Sequence, residues 1–363
     1  MRVRKRLELF GKHKLRKLLG LLLKPDSVGP GDFRPETISK ILVVRQDSRL
    51  GNLVLMTPLL SGLKAGCPGA VIDVLISEGF EEVLEHNPNV DGLIVFKKKK
   101  ARTNPWSYIS LIKSLKKNRY DCAVDVSDGS HFSLNNILLT SLCGARYRLG
   151  YDRDDARSFL NLLIPAPSAG THMAEAMTSL ARKLSPDIPD FPMKYYVPDE
   201  DRKFAVEWLG KHDIGGQDSF TVMHPGGKGR KRWGARNFAG LIDTLAGETG
   251  ESIVLVGGPA DQSAIDSIKE LSQTSFSVLS EVRVGQMAAV IERCSLFISG
   301  DTGPMHVSAA LDRPTVGIFV ASDFSVYGPR CRNGRIVFNE NGMPAVDEVM
   351  NVVHDVLGSS AGS

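Results

Sequence analysis

Along this chain apolar residues fall into short unbroken blocks, separated by stretches in which they recur every three or four positions. Residues 41–44 (Ile-Leu-Val-Val), 71–76, 93–96 and 122–126 form such blocks. Each reads as a strand buried on both faces, because a half-exposed strand would alternate apolar with polar positions. Between and after them, residues 52–65, 80–85, 106–117 and 134–143 carry the helical spacing. The same grammar restarts in the second half. Strands are predicted at 220–223, 253–256, 296–299 and 315–319, and helices at 236–249, 261–271, 285–293 and 305–311, with an amphipathic helix at 346–357. Apolar strands alternating with helices predict parallel sheets wrapped on both faces, so the expectation is an α/β protein of two Rossmann-like domains facing across a cleft.

Pro and Gly punctuate this pattern. A Pro/Gly-rich stretch over 25–39 reads as a linker, and Pro186, Pro189 and Pro192 mark a connection between the halves. The expected organisation is an N-terminal extension and linker (1–37), a first domain (38–190), a second domain (191–345) and a C-terminal helix and tail (346–363).

Composition adds a compartment and a charge asymmetry. Of 363 residues, 42% are hydrophobic and 24% charged, the balance of a soluble globular protein with room for two cores. Five scattered cysteines with no CxxC pair predict reduced, mostly buried thiols, with neither a disulfide framework nor a zinc site. The net charge is +4, yet residues 1–24 alone hold nine Lys or Arg against Glu8, so the rest of the chain is net negative. The body therefore gives no case for nucleic-acid binding. The tail interleaves those cations with Val3, Leu7, Phe10, Leu15, Leu18, Leu19 and Leu22. That is the pattern of a basic amphipathic segment suited to an anionic membrane surface, and its longest apolar run is too short to span a bilayer. A solvated extension is the alternative.

Chemistry concentrates where strands run into helices. After the strand at 296–299 comes Gly300-Asp-Thr-Gly-Pro-Met-His306. A small-residue turn feeding a helix N-terminus is suited to a diphosphate. There Pro304 fits the first helical turn and Thr302 can cap it. After the strand at 220–223 comes His224-Pro-Gly-Gly-Lys-Gly-Arg-Lys-Arg-Trp233. Backbone amides around Gly226, Gly227 and Gly229, with Lys228, Arg230, Lys231 and Arg232, make a diphosphate clamp. Gly257-Gly258-Pro-Ala-Asp261 is a further strand-end turn, suited to a nucleoside or to a tight bend. The first junction, Arg45-Gln-Asp-Ser-Arg-Leu-Gly-Asn52, lacks GxGxxG, and no Walker pattern occurs anywhere. The run Lys97 to Lys100 reads as a solvated loop, with an anionic acceptor as its other use.

Taken in order, Leu50-Gly-Asn-Leu-Val-Leu-Met-Thr-Pro58, Asn87-Pro-Asn-Val-Asp91, His224-Pro-Gly-Gly with Lys231-Arg-Trp233, Val256-Gly-Gly-Pro259 and Ser299-Gly-Asp-Thr-Gly-Pro-Met-His306 resemble glycosyltransferase family 9, the lipopolysaccharide heptosyltransferase family. The resemblance spans about residues 38–357. It implies a GT-B fold, and inverting, metal-independent transfer of a sugar from a nucleotide-diphosphate donor such as ADP-heptose. The implied acceptor is a lipopolysaccharide core or related lipid-linked saccharide, and the implied place is the inner face of the cytoplasmic membrane. No cofactor is implied. Lys231 matches the family's phosphate-contacting lysine, Asp301, Thr302, Gly303 and His306 match its donor-binding segment, and Gly226 and Gly227 fall in its phosphate loop; Arg232 and Gly258 join the donor set.

One position departs from the family. Its first loop carries Gly-Asp, whose Asp is the proposed base, and here Asn52 stands there. An amide takes no proton at neutral pH. Asp47 is the first substitute, followed by Asp128 and His131, whereas Asp125 reads as structural and Asp152-Arg-Asp154 as a source of surface ion pairs. Three other readings stay open: a non-catalytic sugar-nucleotide-binding relative, an NAD oxidoreductase (weakened by the missing GxGxxG), and a nucleotide-sugar epimerase of the same fold.

Overall fold

A computed structural model describes residues 16, 18–29, 31–47, 49–128, 133–214 and 219–360. Most of the basic tail (residues 1–15 and 17) and His131 lie outside the described residues. Those described divide into two compact units. Residues within Met1–Ser48 and Pro58–Phe191 form the first, and Arg49–Thr57 with Pro192–Ser363 form the second.

The first unit is a six-stranded sheet built of β1 (Lys40–Arg45), β2 (Val71–Ser77), β3 (Gly92–Phe96), β4 (Cys122–Asp125), β5 (Tyr147–Asp152) and β6 (Leu162–Pro165). All pairings are parallel, in the order β3-β2-β1-β4-β5-β6. The apolar blocks occupy its centre: Ile41, Leu42, Val43 and Val44 of β1 are fully buried. The second unit repeats the arrangement with β7 (Phe220–His224), β8 (Ser252–Gly257), β9 (Ser277–Ser280), β10 (Leu296–Gly300), β11 (Thr315–Phe319) and β12 (Gly334–Phe338). Its order, β12-β11-β10-β7-β8-β9, traces the same path from the opposite edge, again all parallel. In each sheet the chain direction reverses between the first and fourth strands, β1/β4 and β7/β10. That reversal opens a crevice at the carboxyl ends of the strands, where such sheets bind ligands.

Several elements differ from expectation. The helix expected over 52–65 is two helices, Leu50–Val54 and Thr57–Gly66. Pro58 cannot donate into a continuous helix, and the Thr57 hydroxyl caps the break by donating to the Val54 carbonyl at 2.8 Å. Residues 80–85 yield only a 3₁₀ turn, Glu81–Val83. The lysine run forms an exposed helix, Lys98–Thr103, in place of a loop. Helices Met173–Leu184 and Asp199–Lys211, and strands β5, β6, β9 and β12, appear where the apolar pattern marks none.

Four cysteines are buried and free, and Cys331 is half-buried. Burial pushes the Cys331 thiol up to about 11 and the Cys294 thiol to about 12, so both stay protonated and unreactive at neutral pH. The described part of the tail docks on the first unit. Residues 18–22 are helical, and Leu19 and Leu23 pack onto Ile137, Phe159 and Leu160. Arg16 pairs with Asp155 at 2.5 Å. Leu18, Leu21 and Leu22 stay 56%, 79% and 72% exposed.

Candidate active site

In the second unit the crevice is built from glycine. A Cβ on Gly226 would lie 2.3 Å from His224 Nε2 and 2.7 Å from Asp261 Oδ1, so no larger residue fits. Gly227, Gly229 and Gly234 hold positive φ angles of 150°, 57° and 98°, which glycine adopts without strain. Between them Gly229–Lys231 forms one 3₁₀ turn. Two anchors fix this loop. Arg232 Nε donates to the Gly227 carbonyl at 2.7 Å. Trp233, 1% exposed, packs edge-on against Phe238 and donates from Nε1 to the Pro344 carbonyl at 2.7 Å.

The anchored loop delivers Lys231 to the turn after β10. Lys231 Nζ lies 2.5 Å from Asp301 Oδ2 and sits over the Tyr327 ring at 5.7 Å. Asp301 is nearly buried while the Lys231 side chain is 41% exposed. An ammonium has three donors; one is aimed at Asp301 and the others are available to an incoming anion. His306 Nε2 is 3.9 Å from Asp301 Oδ1. The helix Gly303–Ala310 begins at the same turn with Pro304 in its first turn, as expected. Thr302 holds the N-cap position without a capping bond, contrary to expectation. Its hydroxyl instead meets Ser299 Oγ at 2.9 Å, which fixes the turn against the end of β10. Gly258 N donates to Asp261 Oδ2 at 3.0 Å, closing the turn after β8.

The segment Arg49–Thr57, which carries Asn52, groups with this unit, whereas the expected first domain (38–190) includes it. Helix Leu50–Val54 packs directly on Gly303–Ala310. A Cβ on Gly51 would lie 2.5 Å from His306 Cδ2, and one on Gly303 would lie 2.9 Å from Leu50 Cβ. The two glycines leave room for the facing side chains of His306 and Leu50, and this contact sets where Asn52 goes. His224 lies beneath the loop, with Nδ1 2.8 Å from the Val256 carbonyl. That carbonyl can only accept, which assigns the proton to Nδ1. Burial, its main influence, holds the imidazole below its ordinary pKa.

The first unit's crevice holds a charge network instead. Arg45, 3% exposed, ends β1, donating to the Val126 carbonyl and pairing with Asp47 at 3.0 Å. Asp47 is 23% exposed and committed to that arginine. Asp125, fully buried, meets Arg153 at 3.1 Å and the Ser127 amide at 3.1 Å. Burial pushes its carboxyl up, opposed by Arg153 and Ser127. Asn136 joins the set through Ser127 Oγ at 3.0 Å and the Gln46 amide at 3.1 Å. The Asp-Arg-Asp triplet therefore splits: Asp152 pairs with Arg157 and Asp154 with Arg16, while Arg153 turns inward. Sequence reasoning passed over Arg45 and Arg153. An arginine closing an otherwise apolar strand block was the available signal.

Two Rossmann-type units, one with a cation-bearing glycine loop at its crevice, define the class: a GT-B glycosyltransferase. The family model of glycosyltransferase family 9 (heptosyltransferase) matches residues 108–353, and the chain belongs to that family. Lipopolysaccharide heptosyltransferase 3 of Escherichia coli is 29% identical over 298 residues, covering 78% of this chain and 84% of the relative. Among solved structures, a family 9 glycosyltransferase from Veillonella parvula superposes with a TM-score of 0.81 at 23% identity, covering 90% of this chain and 99% of that one. The E. coli ADP-heptose lipopolysaccharide heptosyltransferase II gives 0.73 at 23% identity, covering 89% and 99%. The family match begins at residue 108, so it leaves Asp47 and Asn52 outside.

Proposed function

We propose that this glycosyltransferase moves a heptose-like sugar from a nucleotide-diphosphate donor to a lipopolysaccharide-core or related lipid-linked glycan, with inversion and without a metal ion. The observation that carries this reading is Lys231 held against Asp301 beside the glycine loop, at the reversal point of a sheet. ADP-heptose is the donor named for the relative of known structure, and lipopolysaccharide the substrate named for both E. coli relatives.

In the proposed reaction an acceptor hydroxyl gives its proton to the Asp47 carboxylate. Its oxygen bonds to the anomeric carbon from the face opposite the diphosphate, and the bond from that carbon to the phosphate oxygen breaks with its electron pair leaving on the phosphate. A single displacement of this kind inverts the centre. Charge growing on the departing oxygen is met by Lys231 and the first amides of the Gly303–Ala310 helix, which is why a metal is not required. Asp301, Thr302, His306, Gly226, Gly227 and Gly258 shape the donor side. Arg45 positions Asp47.

The test is incubation with ADP-heptose and a heptose-deficient lipopolysaccharide core, following ADP release and the glycan mass. Transfer supports the reading, and Asp47→Asn should then lower turnover by about 10²–10⁴ with donor affinity unchanged. Tight ADP binding without transfer from any nucleotide sugar would instead favour the second reading, a non-catalytic sugar-nucleotide-binding relative, which the Asn52 position motivates.

Peripheral attachment to the inner face of the cytoplasmic membrane belongs to the same proposal. No helix among the described residues is long and apolar enough to cross a bilayer. Leu18, Leu21 and Leu22 face outward from a segment rich in Lys and Arg. The double change Leu21→Glu, Leu22→Glu should release the protein from phosphatidylglycerol vesicles in a flotation assay; retention would place the attachment elsewhere.

A further inference from the structure

A pocket of about 620 Å³ opens in the second unit, off the reversal point, over the carboxyl ends of β11 and β12. Its walls are Arg230 and Arg232 from the glycine loop, Val320 after β11, and Phe338, Glu340 and Met343 at and beyond the end of β12. The donor site described above uses Lys231 of the same loop, whose neighbours on either side face this second space.

The pocket is built on rigid supports. Phe338, 41% exposed, leans on Phe324 at 5.1 Å between ring centroids, and Phe324 meets the fully buried Phe319 at 6.3 Å. The segment after β12 is pinned where Asn339 donates to Glu348 at 3.0 Å and accepts from the Asn341 amide at 2.9 Å. Met343 is held by Asn237 at 3.1 Å. Arg232 spends only its Nε, on Gly227. Its terminal amino groups and the whole Arg230 guanidinium make no hydrogen bond to a described residue.

We propose that this pocket binds a negatively charged saccharide unit, one bearing a phosphate or carboxylate, such as an acceptor glycan carries; the inference rests on the glycosyltransferase reading. A fixed aromatic face stacks against the apolar C–H face of a sugar ring. Glu340 accepts from its hydroxyls. Two guanidinium groups against one carboxylate leave the pocket net positive, and the planar fork of arginine matches phosphate and carboxylate oxygens in pairs. An acyl chain would find too much charge here, and the donor diphosphate is served by Lys231 and the glycines.

The experiment uses the full chain and no donor, so it does not depend on turnover. Saturation-transfer NMR with glucose 6-phosphate should show its ring protons receiving magnetisation, with glucose bound at least about tenfold more weakly. Arg230→Ala should weaken glucose 6-phosphate about tenfold, and Phe338→Ala should leave ADP affinity unchanged. Phe338→Ala, at an exposed edge-strand position, should remove the transfer to ring protons, with an unchanged melting temperature as the check on folding. Three results would overturn the proposal: no binding of glucose 6-phosphate, binding that neither variant alters, or its stoichiometric displacement by ADP. Inorganic phosphate binding as tightly as glucose 6-phosphate would also overturn it, by reducing the pocket to a simple anion site. Failure of heptose transfer in the separate assay would sink the donor assignment and leave this binding result standing.

Discussion

The two units thread their strands in the same order and open a crevice at the same place, yet they fill it with opposite chemistry. At β1/β4 the first unit buries Arg45, Asp125 and Arg153 in a network of ion pairs and hydrogen bonds. At β7/β10 the second unit clears the space with glycine and leaves Lys231 partly exposed on a buried Asp301. Topology therefore places a crevice, and the side chains decide whether it becomes a brace or a receptor. A buried ion pair is costly to break and contributes little to binding. A half-exposed ammonium on a fixed carboxylate keeps part of its surface open to solvent.

The sharpest way to break this contrast is to exchange the readouts. Arg153→Met leaves Asp125 buried without its guanidinium and should lower unfolding free energy by about 3–5 kcal/mol, measured by urea denaturation, with ADP affinity unchanged in the folded fraction. Loss of ADP affinity with no loss of stability would reverse the roles assigned to the two crevices. Lys231→Ala should do the opposite. It should reduce transfer by about 10²–10³ and weaken ADP far more than adenosine in calorimetry, with the unfolding midpoint nearly unchanged. Equal weakening of both ligands would remove Lys231 from the phosphate.

A smaller effect tests how the second crevice is assembled. Gly51→Ala drives a methyl into His306 and should cost about 1–3 kcal/mol through overpacking. A melting temperature equal to that of the unaltered protein would show that the two helices can part without penalty. The smallest effect is a pH dependence. His224 is held neutral in the folded chain, while the unfolded chain takes up a proton below about pH 6.5. The unfolded state then binds more protons, so this contribution is full above that pH and declines as pH falls through the low sixes. Urea midpoints measured from pH 5 to 8 should slope less in His224→Asn.

Much of the fold was legible because the central strands of both sheets are buried on both faces and leave unbroken apolar blocks. The edges were less so. β12 carries Gly334-Arg-Ile-Val-Phe338 with only Val337 buried, and β5 interrupts its apolar positions with Arg148 and Gly150. The missed helices did leave signals. Pro198 followed by Asp199, Glu200 and Asp201 is an acidic first turn, and Met173–Leu184 buries one clear face. The glycine loop and the Asp301 turn were readable as strand-end turns because small residues cluster there. The position of Asn52 was not, since it depends on Gly51 meeting His306, residues 255 positions apart in the chain.

That meeting bears on how divisible the protein is. Arg49–Thr57 groups with the second unit although the chain on both sides of it belongs to the first. A gene fragment beginning at Pro192 would carry every strand of the second sheet but lack helix Leu50–Val54, and the backbone face at Gly303 would be left bare. The second unit cannot be shuffled between genes as a contiguous cassette. Recombination at the Pro-rich connection would yield a soluble hybrid only if the incoming N-terminal half brought a compatible glycine-bearing helix with it.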